Sequence, residues 1–257
     1  MNHLESNDGW FCLASDDEAA CLRSPESYAR KGSEVVRYRN RVVYRLEEED
    51  GNVLYAKWLY PQNEGFLKTF TTFFKRIFRG SRVQNIFKIH QDLAEAGFGC
   101  AEPVLAAWRN DSLTELFVCK EIKARPVYKI LREASEKETL NVLSLLAADL
   151  RRLHKAGFVH GDAIPGNICL DSESGKIFYL DNDRTQRMKN RRQALRNVIQ
   201  FCSHLHFYCG VTCAVRFFVN EYGKRDMDAK ARDRLYAAIR RRIKTISRQR
   251  ARRAGIK

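Results

Sequence analysis

At 257 residues, 44% of them hydrophobic, the chain can bury a substantial core as one large domain or two small lobes. Five prolines, fourteen glycines and no internal repeat exclude fibrous, low-complexity and solenoid classes. The 46 Lys and Arg against 31 Asp and Glu give a formal charge of +15, which predicts anionic partners: nucleic acid, phosphorylated substrates or a membrane face.

The eight cysteines (Cys12, Cys21, Cys100, Cys119, Cys169, Cys202, Cys209 and Cys213) show no CxxC spacing, and MNHLESNDGW carries no basic region followed by an apolar run. A reduced, cytoplasmic location is expected. No stretch approaches the ~18 apolar residues that span a bilayer, so any membrane contact is expected to be peripheral.

In chain order, residues 1–30 are polar, with Asp8, Asp16, Asp17 and Glu18 unbalanced until Arg23, and read as a loosely attached arm. From Ser33, SEVVRYRNRVVYRLEEEDGNVLYAKWLY clusters β-branched and aromatic residues around Asp50-Gly51-Asn52, predicting strands and a turn. Helical spacing follows at Phe70, Phe73, Phe74 and Ile77, then at Ile86, Ile89 and Leu93, ending at Gly97 or Gly99. Val104–Ala107 and Leu113–Cys119 read as a strand pair around Asn110-Asp111, with the chain leaving the sheet over Glu121–Arg125.

The second half opens with the helix pattern KETLNVLSLLAADLRRLHKAG, apolar at Leu140, Leu143, Leu146, Leu150 and Leu153 and stopped by Gly157. Beyond residue 188 the pattern is helical again. Between these lies FVHGDAIPGNICLDSESGKIFYLDNDRT: Asp162, then Asn167 five residues on, then Ile168-Cys169-Leu170, a turn at Ser174-Gly175, a strand and Asp181. Phosphoryl transfer needs a carboxylate to receive the proton of an attacking hydroxyl and oxygen ligands to hold Mg²⁺ against the phosphates. Asp162 suits the first task; Asn167 and Asp181 suit the second.

HGDAIPGN resembles the catalytic loop of kinase-like phosphotransferases, and YLDNDRT stands where their metal-binding Asp-Phe-Gly would be. Asp181-Asn182-Asp183-Arg184 resembles more particularly the Asp-Phe-Asp-Arg of the lipopolysaccharide core kinases that phosphorylate Kdo or heptose. RGSRVQNIFKIHQDLAEAGFGCAEPVLAA is similar to their nucleotide-lobe helix and following strand, so the resemblance covers roughly residues 33–220. It implies an α+β, two-lobed protein-kinase-like fold: a polar arm over 1–30, a β-rich nucleotide-binding lobe over 31–122 and a mainly helical lobe over 123–257. It also implies ATP and Mg²⁺ as cofactors, Lys57 on the ATP phosphates and Glu121-Ile122 as the hinge beside adenine.

Three departures from that pattern are legible. No Gly-x-Gly-x-x-Gly precedes Lys57, so Arg37, Arg39 or backbone N–H groups are the candidates to cover phosphate. Where a glutamate partner for Lys57 is expected stand Gln84 and Asn85, with Glu95 near the helix end. Asn182 replaces an aromatic residue.

Other residues admit two readings. Asp183 and Arg184 suit either an ion pair or a catalytic role. Cys202, His204, His206, Cys209 and Cys213 could suggest zinc, but they fall in one aromatic-rich helical stretch without paired spacing and read as helix residues. His154 reads as a helix-end packing residue. The C-terminus from Arg240 carries nine Lys and Arg in eighteen residues and no acid, and residues 66–79 interleave Phe with Lys68, Lys75, Arg76 and Arg79. Both suit an anionic membrane face, against a nucleic-acid or simply solvated reading of the tail.

The expected enzyme is thus an ATP-dependent kinase of a lipid-linked, anionic lipopolysaccharide core sugar at the cytoplasmic face of the inner membrane. The alternatives are a kinase of the same fold acting on protein or a soluble small molecule, and a catalytically silent nucleotide-binding scaffold.

Overall fold

The computed structural model describes residues 4–5, 9–14, 25–38, 40–61, 80–209, 211 and 213–254. The chain divides into two compact units, Met1–Ile122 and Lys123–Lys257. The first is β-rich and the second mainly helical, which is the α+β organisation expected from the sequence.

The first unit holds strands β1 (Leu4–Glu5), β2 (Phe11–Ala14), β3 (Ser33–Tyr38), β4 (Arg41–Glu47), β5 (Val53–Leu59), β6 (Gly99–Cys100), β7 (Pro103–Trp108) and β8 (Glu115–Lys120). Helices α1 (Ser27–Arg30) and α2 (Arg82–Glu95) accompany them. Seven of the strands form one antiparallel sheet in the order β1-β2-β7-β8-β5-β4-β3.

Both faces of this sheet are partly covered, because the period of two sends alternate residues of β5 to different cores. Leu54, Ala56 and Trp58 join Trp10, Cys12, Leu105 and Val118 on one face. On the other, Leu59, Ala106 and Phe117 meet Val83, Ile86 and Phe87 of α2. Ser81 caps α2 by accepting the Gln84 N–H at 3.0 Å.

The polar arm expected over residues 1–30 is corrected at its middle. Phe11–Ala14 pair in register with Leu105–Trp108, and Trp10, Cys12 and Leu13 are buried. The Trp10 indole donates to Glu26 at 2.8 Å, so an acid of the supposed arm is also tied down. A four-residue strand among acidic neighbours is too short to show period-two alternation, yet pairing with a fully buried β7 removes its apolar side chains from water. The acidic positions 8 and 16–18, Arg23, and the basic, Phe-rich stretch 66–79 with Phe70, Phe73, Phe74 and Ile77 lie outside the described residues.

The second unit contains strands β9 (Arg125–Pro126), β10 (Phe158–Val159), β11 (Ile168–Leu170), β12 (Ile177–Tyr179) and β13 (Gln186–Arg187). Its helices are α3 (Val127–Glu133), α4 (Glu136–Lys155), α5 (Arg191–Leu205), α6 (Ala214–Gly223) and α7 (Ala229–Arg253). A capping box opens α4: Ser135 accepts from the Glu138 N–H while Glu138 accepts from the Ser135 N–H at 2.8 Å.

Leu143, Leu146, Leu150 and Leu153 of α4 are buried at spacings of three and four, and α4 packs on α6. Gly157 ends the α4 segment at φ +82°, a left-handed conformation that glycine adopts without a Cβ penalty. α5 packs on α7, and Phe201 of α5 meets Phe218 of α6 with ring centroids 4.7 Å apart. Full burial of each such side chain contributes ~1.5–3 kcal/mol.

Candidate active site

The antiparallel pair β11/β12 builds the site. Ile168 faces Tyr179 and Leu170 faces Ile177, and the Leu180 N–H donates to the Asn167 carbonyl at 2.8 Å. This register carries Asn167 and Asp181 to the same end of the hairpin. The hairpin is fixed to α4 by the buried Tyr179, whose hydroxyl donates to Asp149 at 2.7 Å. Burial and the adjacent Asp149 charge push the Tyr179 pKa well above 10, so the phenol remains a donor.

The Asp162 loop closes on itself: Ile164 N–H donates to the Asp162 carbonyl and Asn167 N–H to the Ile164 carbonyl, both at 2.9 Å. Asn167 Nδ2 donates to Asp162 Oδ2 and to the Asp162 carbonyl, both at 3.0 Å, and Gln200 Nε2 of α5 donates to Asp162 Oδ1 at 2.6 Å. Each carboxylate oxygen therefore has one fixed donor and keeps a lone-pair direction for an incoming hydroxyl.

His160 is buried directly before this loop and joins its two halves. Nδ1 accepts the Asp162 N–H at 3.1 Å, and Nε2 lies 2.8 Å from the Leu180 carbonyl, where it must act as donor. A ring that accepts at Nδ1 is neutral, and burial lowers the His160 pKa despite the Leu180 carbonyl and the charges of Asp162 and Asp181. Both carboxylates thus act on one imidazole.

The His160 backbone is held in turn by Asn197 of α5. Asn197 Oδ1 accepts the His160 N–H at 2.9 Å, and Asn197 Nδ2 donates to the His160 carbonyl. His154, buried at the end of α4, meets Asn197 Oδ1 at 3.2 Å and the Tyr222 hydroxyl at 2.8 Å, and burial lowers its pKa to about 4.

Asp181 stands at φ +52°, ψ +50°, left-handed for a non-glycine residue, immediately before the short 3₁₀ turn Asn182–Arg184. Such an outlier at the end of a strand marks a position where the side chain matters more than backbone ease. Asn182 is buried and satisfied: Nδ2 donates to the Tyr179 carbonyl and Oδ1 accepts from Thr185 Oγ1, both at 2.9 Å. Arg184 lies with its backbone against Gly161, where a Cβ would stand 2.1 Å from Arg184 Cβ.

The donor chemistry fits a hard cation. Asn167 uses its amide nitrogen on Asp162, which turns its Oδ1 to other use, and Asp181 adds a carboxylate at the same hairpin end. Among the described residues no cluster of three or more His, Cys, Asp or Glu gathers into a metal-binding group. In the candidate zinc stretch Cys202 is buried in the helix core, and burial raises its thiol pKa.

Lys57, Glu121 and Ile122 belong to the first unit. Lys57 lies in mid-β5, opposite Val43 and Phe117 on the α2-facing side, and its charge opposes the burial that pushes the Cys119 thiol to about 12. Asn85 is exposed and donates to the Ser81 carbonyl, and Glu95 is exposed. The buried acid of this face is Glu115, opposite Leu59, accepting the Arg82 N–H at 3.0 Å. Glu121 donates its N–H to the Val53 carbonyl at 2.8 Å and accepts from the Tyr55 hydroxyl at 3.2 Å. Arg37, one candidate phosphate cover, forks onto Glu34, and Arg39 lies outside the described residues.

Sequence reading missed Asn197 and Gln200. Their signal was a polar pair three residues apart beside Val198 and Phe201 on a helix otherwise apolar at that side.

No protein-family model matches this chain, and no curated protein matches it in sequence. A solved structure of WbdD with the kinase inhibitor LY294002 is similar at a TM-score of 0.49 and 16% identity over 81% of this chain. The chain spans 44% of that protein's length.

Proposed function

We propose that this protein is an ATP-dependent kinase that phosphorylates a sugar hydroxyl, of Kdo or heptose, in the lipopolysaccharide inner core. The observation that carries the reading is the Asp162 carboxylate, held by Gln200 and Asn167 at the end of the hairpin that also carries Asp181. A carboxylate fixed at both oxygens loses little freedom on meeting its acceptor, which is how positioning lowers a barrier.

In this reading Asp162 aligns the acceptor hydroxyl and receives its proton as the phosphoryl group transfers, a contribution of ~10²–10⁴-fold. Asn167 and Asp181 would hold Mg²⁺, which when bound neutralises charge on the ATP phosphates. Lys57 steadies those phosphates, and Glu121-Ile122 contact adenine. Asn197 and His160 keep the loop in shape through backbone bonds, without meeting the reactants.

Among the described residues no helix is long and apolar enough to cross a membrane. The cationic α7 supports the proposal that a lipid-linked acceptor is met at the cytoplasmic face of the inner membrane. The test is Mg²⁺-dependent ATP turnover by wild type and Asp162→Ala, each with intact and with deacylated lipopolysaccharide core. Core-dependent transfer that the substitution removes supports the reading. Silence of wild type with every acceptor favours the nucleotide-binding scaffold, and transfer to protein or to an aminoglycoside in place of core favours the alternative acceptors.

A further inference from the structure

Where the end of α4, the start of α5 and the end of α6 meet lies a cavity of about 350 Å³, the size of a small-ligand pocket. Asp162, Asn167 and Asp181 are not among its lining residues. Its floor is buried and its protons are committed. Asn197 Oδ1 accepts the His160 N–H, so it also accepts from His154 Nε2, at 3.2 Å, and His154 Nδ1 is left to accept the Tyr222 hydroxyl proton at 2.8 Å. With that proton given away, Tyr222 offers the cavity an aromatic surface and no donor. Met188, Leu195 and Met227 extend the apolar lining.

Positive charge gathers at the mouth, where Arg151 is half-buried and Lys155 and Arg191 are exposed. Arg151 Nη1 donates to the Glu221 carbonyl at 2.8 Å and to the Tyr222 carbonyl at 3.3 Å, and Arg191 Nη2 donates to the Asp226 carbonyl at 3.1 Å. These bonds tie down the end of α6, but their acceptors are neutral, and neither guanidinium makes an ion pair among the described residues. The acid of the lining, Asp226, is paired with Lys155 at 3.1 Å. Burial pushes the Tyr222 phenol up to about 12 against the charges of Arg191 and Arg151, so both guanidiniums act on the floor of the cavity.

We infer that this cavity is a second ligand site, one that takes a small oxyanion carried on a compact apolar body. A guanidinium has five N–H donors, and the carbonyl bonds leave other nitrogens of Arg151 and Arg191 to meet a phosphate or carboxylate at the mouth. Tyr222 and the two methionines receive the apolar body, the methionines adapting to its shape. The inference is independent of the kinase reading, because the site uses none of Asp162, Asn167 and Asp181.

The experiment is calorimetric titration of the full chain, without ATP, with phenyl phosphate, benzoate, inorganic phosphate and benzyl alcohol. The first two probes tell a phosphate from a carboxylate; the last two carry the anion alone and the apolar body alone. Wild type should bind phenyl phosphate or benzoate roughly tenfold or more tightly than it binds either half. Arg191→Gln, at an exposed side chain bonded to a carbonyl, should weaken that binding roughly tenfold. Met227→Trp, which fills the apolar end and leaves both arginines in place, should abolish it, whereas Arg240→Gln, at an exposed position of α7, should not change it. Each variant is first checked for wild-type helix content and melting temperature, and Leu195→Trp replaces Met227→Trp if that protein is destabilised. Inorganic phosphate binding as tightly as the aromatic anions, binding that survives the filled cavity, or no saturable binding of either aromatic anion at millimolar concentration overturns the site.

Discussion

Gly161→Ala is the most informative single substitution in the Asp162 loop. A Cβ at this position would stand 2.1 Å from Arg184 Cβ, 2.3 Å from the Arg184 carbonyl oxygen and 2.6 Å from its carbonyl carbon. Ordinary van der Waals contact begins at 3.4 Å, so the Asp162 loop and the Asp181–Arg184 segment must separate by more than an ångström. Two of the three obstacles are backbone, which cannot rotate away. A misplacement of about 1 Å can cost ~10² in rate, and overpacking costs ~1–3 kcal/mol in stability. At ~2–4 °C per kcal/mol the melting temperature should fall by roughly 2–12 °C. The assays are phosphotransfer kcat and thermal unfolding, with Gly175→Ala as the control. A Cβ on Gly175 would meet nothing within 4 Å, but the residue sits at φ +69°, so that variant should lose ~1–2 kcal/mol of stability and no activity. Wild-type kcat and melting temperature in Gly161→Ala would refute the argument that close approach of these two segments defines the site.

Asn197→Ala should strip the buried His160 N–H and carbonyl of their side-chain partners, at about 3 kcal/mol in total, read as a melting temperature lower by roughly 6–12 °C. His154 gives a pH signature. Its folded pKa of about 4 lies below the unfolded 6.5, so the unfolded chain binds the proton first; the stability it confers is full above pH 6.5 and is lost as pH falls toward 4. The loss amounts to about 3 kcal/mol, and denaturant titrations at pH 7.5 and 5 should show a smaller difference in His154→Gln than in wild type; equal differences would exclude His154 as the source. Thiol labelling should separate the cysteines: Cys213 is exposed and reacts in the native state, whereas Cys12, Cys169 and Cys202, buried with raised pKa values, react only on unfolding. Cys213→Ser should therefore lose one rapidly reacting equivalent.

The parts of this architecture that local sequence controls were legible, and those that depend on distant partners were not. Asp162, Asn167 and Asp181 fall within twenty residues, joined by one hairpin whose turn and strand signals are local, so their convergence follows from register alone. The buried face of α4 was likewise readable from leucine spacing and the glycine that follows. Gln200 and Asn197 lie 38 and 37 residues from their partners, so the polar pair beside Val198 and Phe201 was visible in the sequence while the loop it holds was not. β2 was hidden for the same reason, since its partner β7 lies about ninety residues away and supplies the burial that its own four residues cannot announce. Glu115 escaped notice because an acid facing a helix N-terminus looks, in sequence, like any strand-end charge.

The left-handed backbone at Asp181 sets thermodynamic robustness against chemical competence at a single residue. Glycine would adopt φ +52° without the ~1 kcal/mol that a side chain costs there, and the segment would relax. Asp181→Gly should therefore yield a protein that melts at the wild-type temperature or above it and transfers no phosphate. Selection for durability alone would drive this position to glycine; in the kinase reading, the carboxylate is held there against that pressure for the cation it would bind.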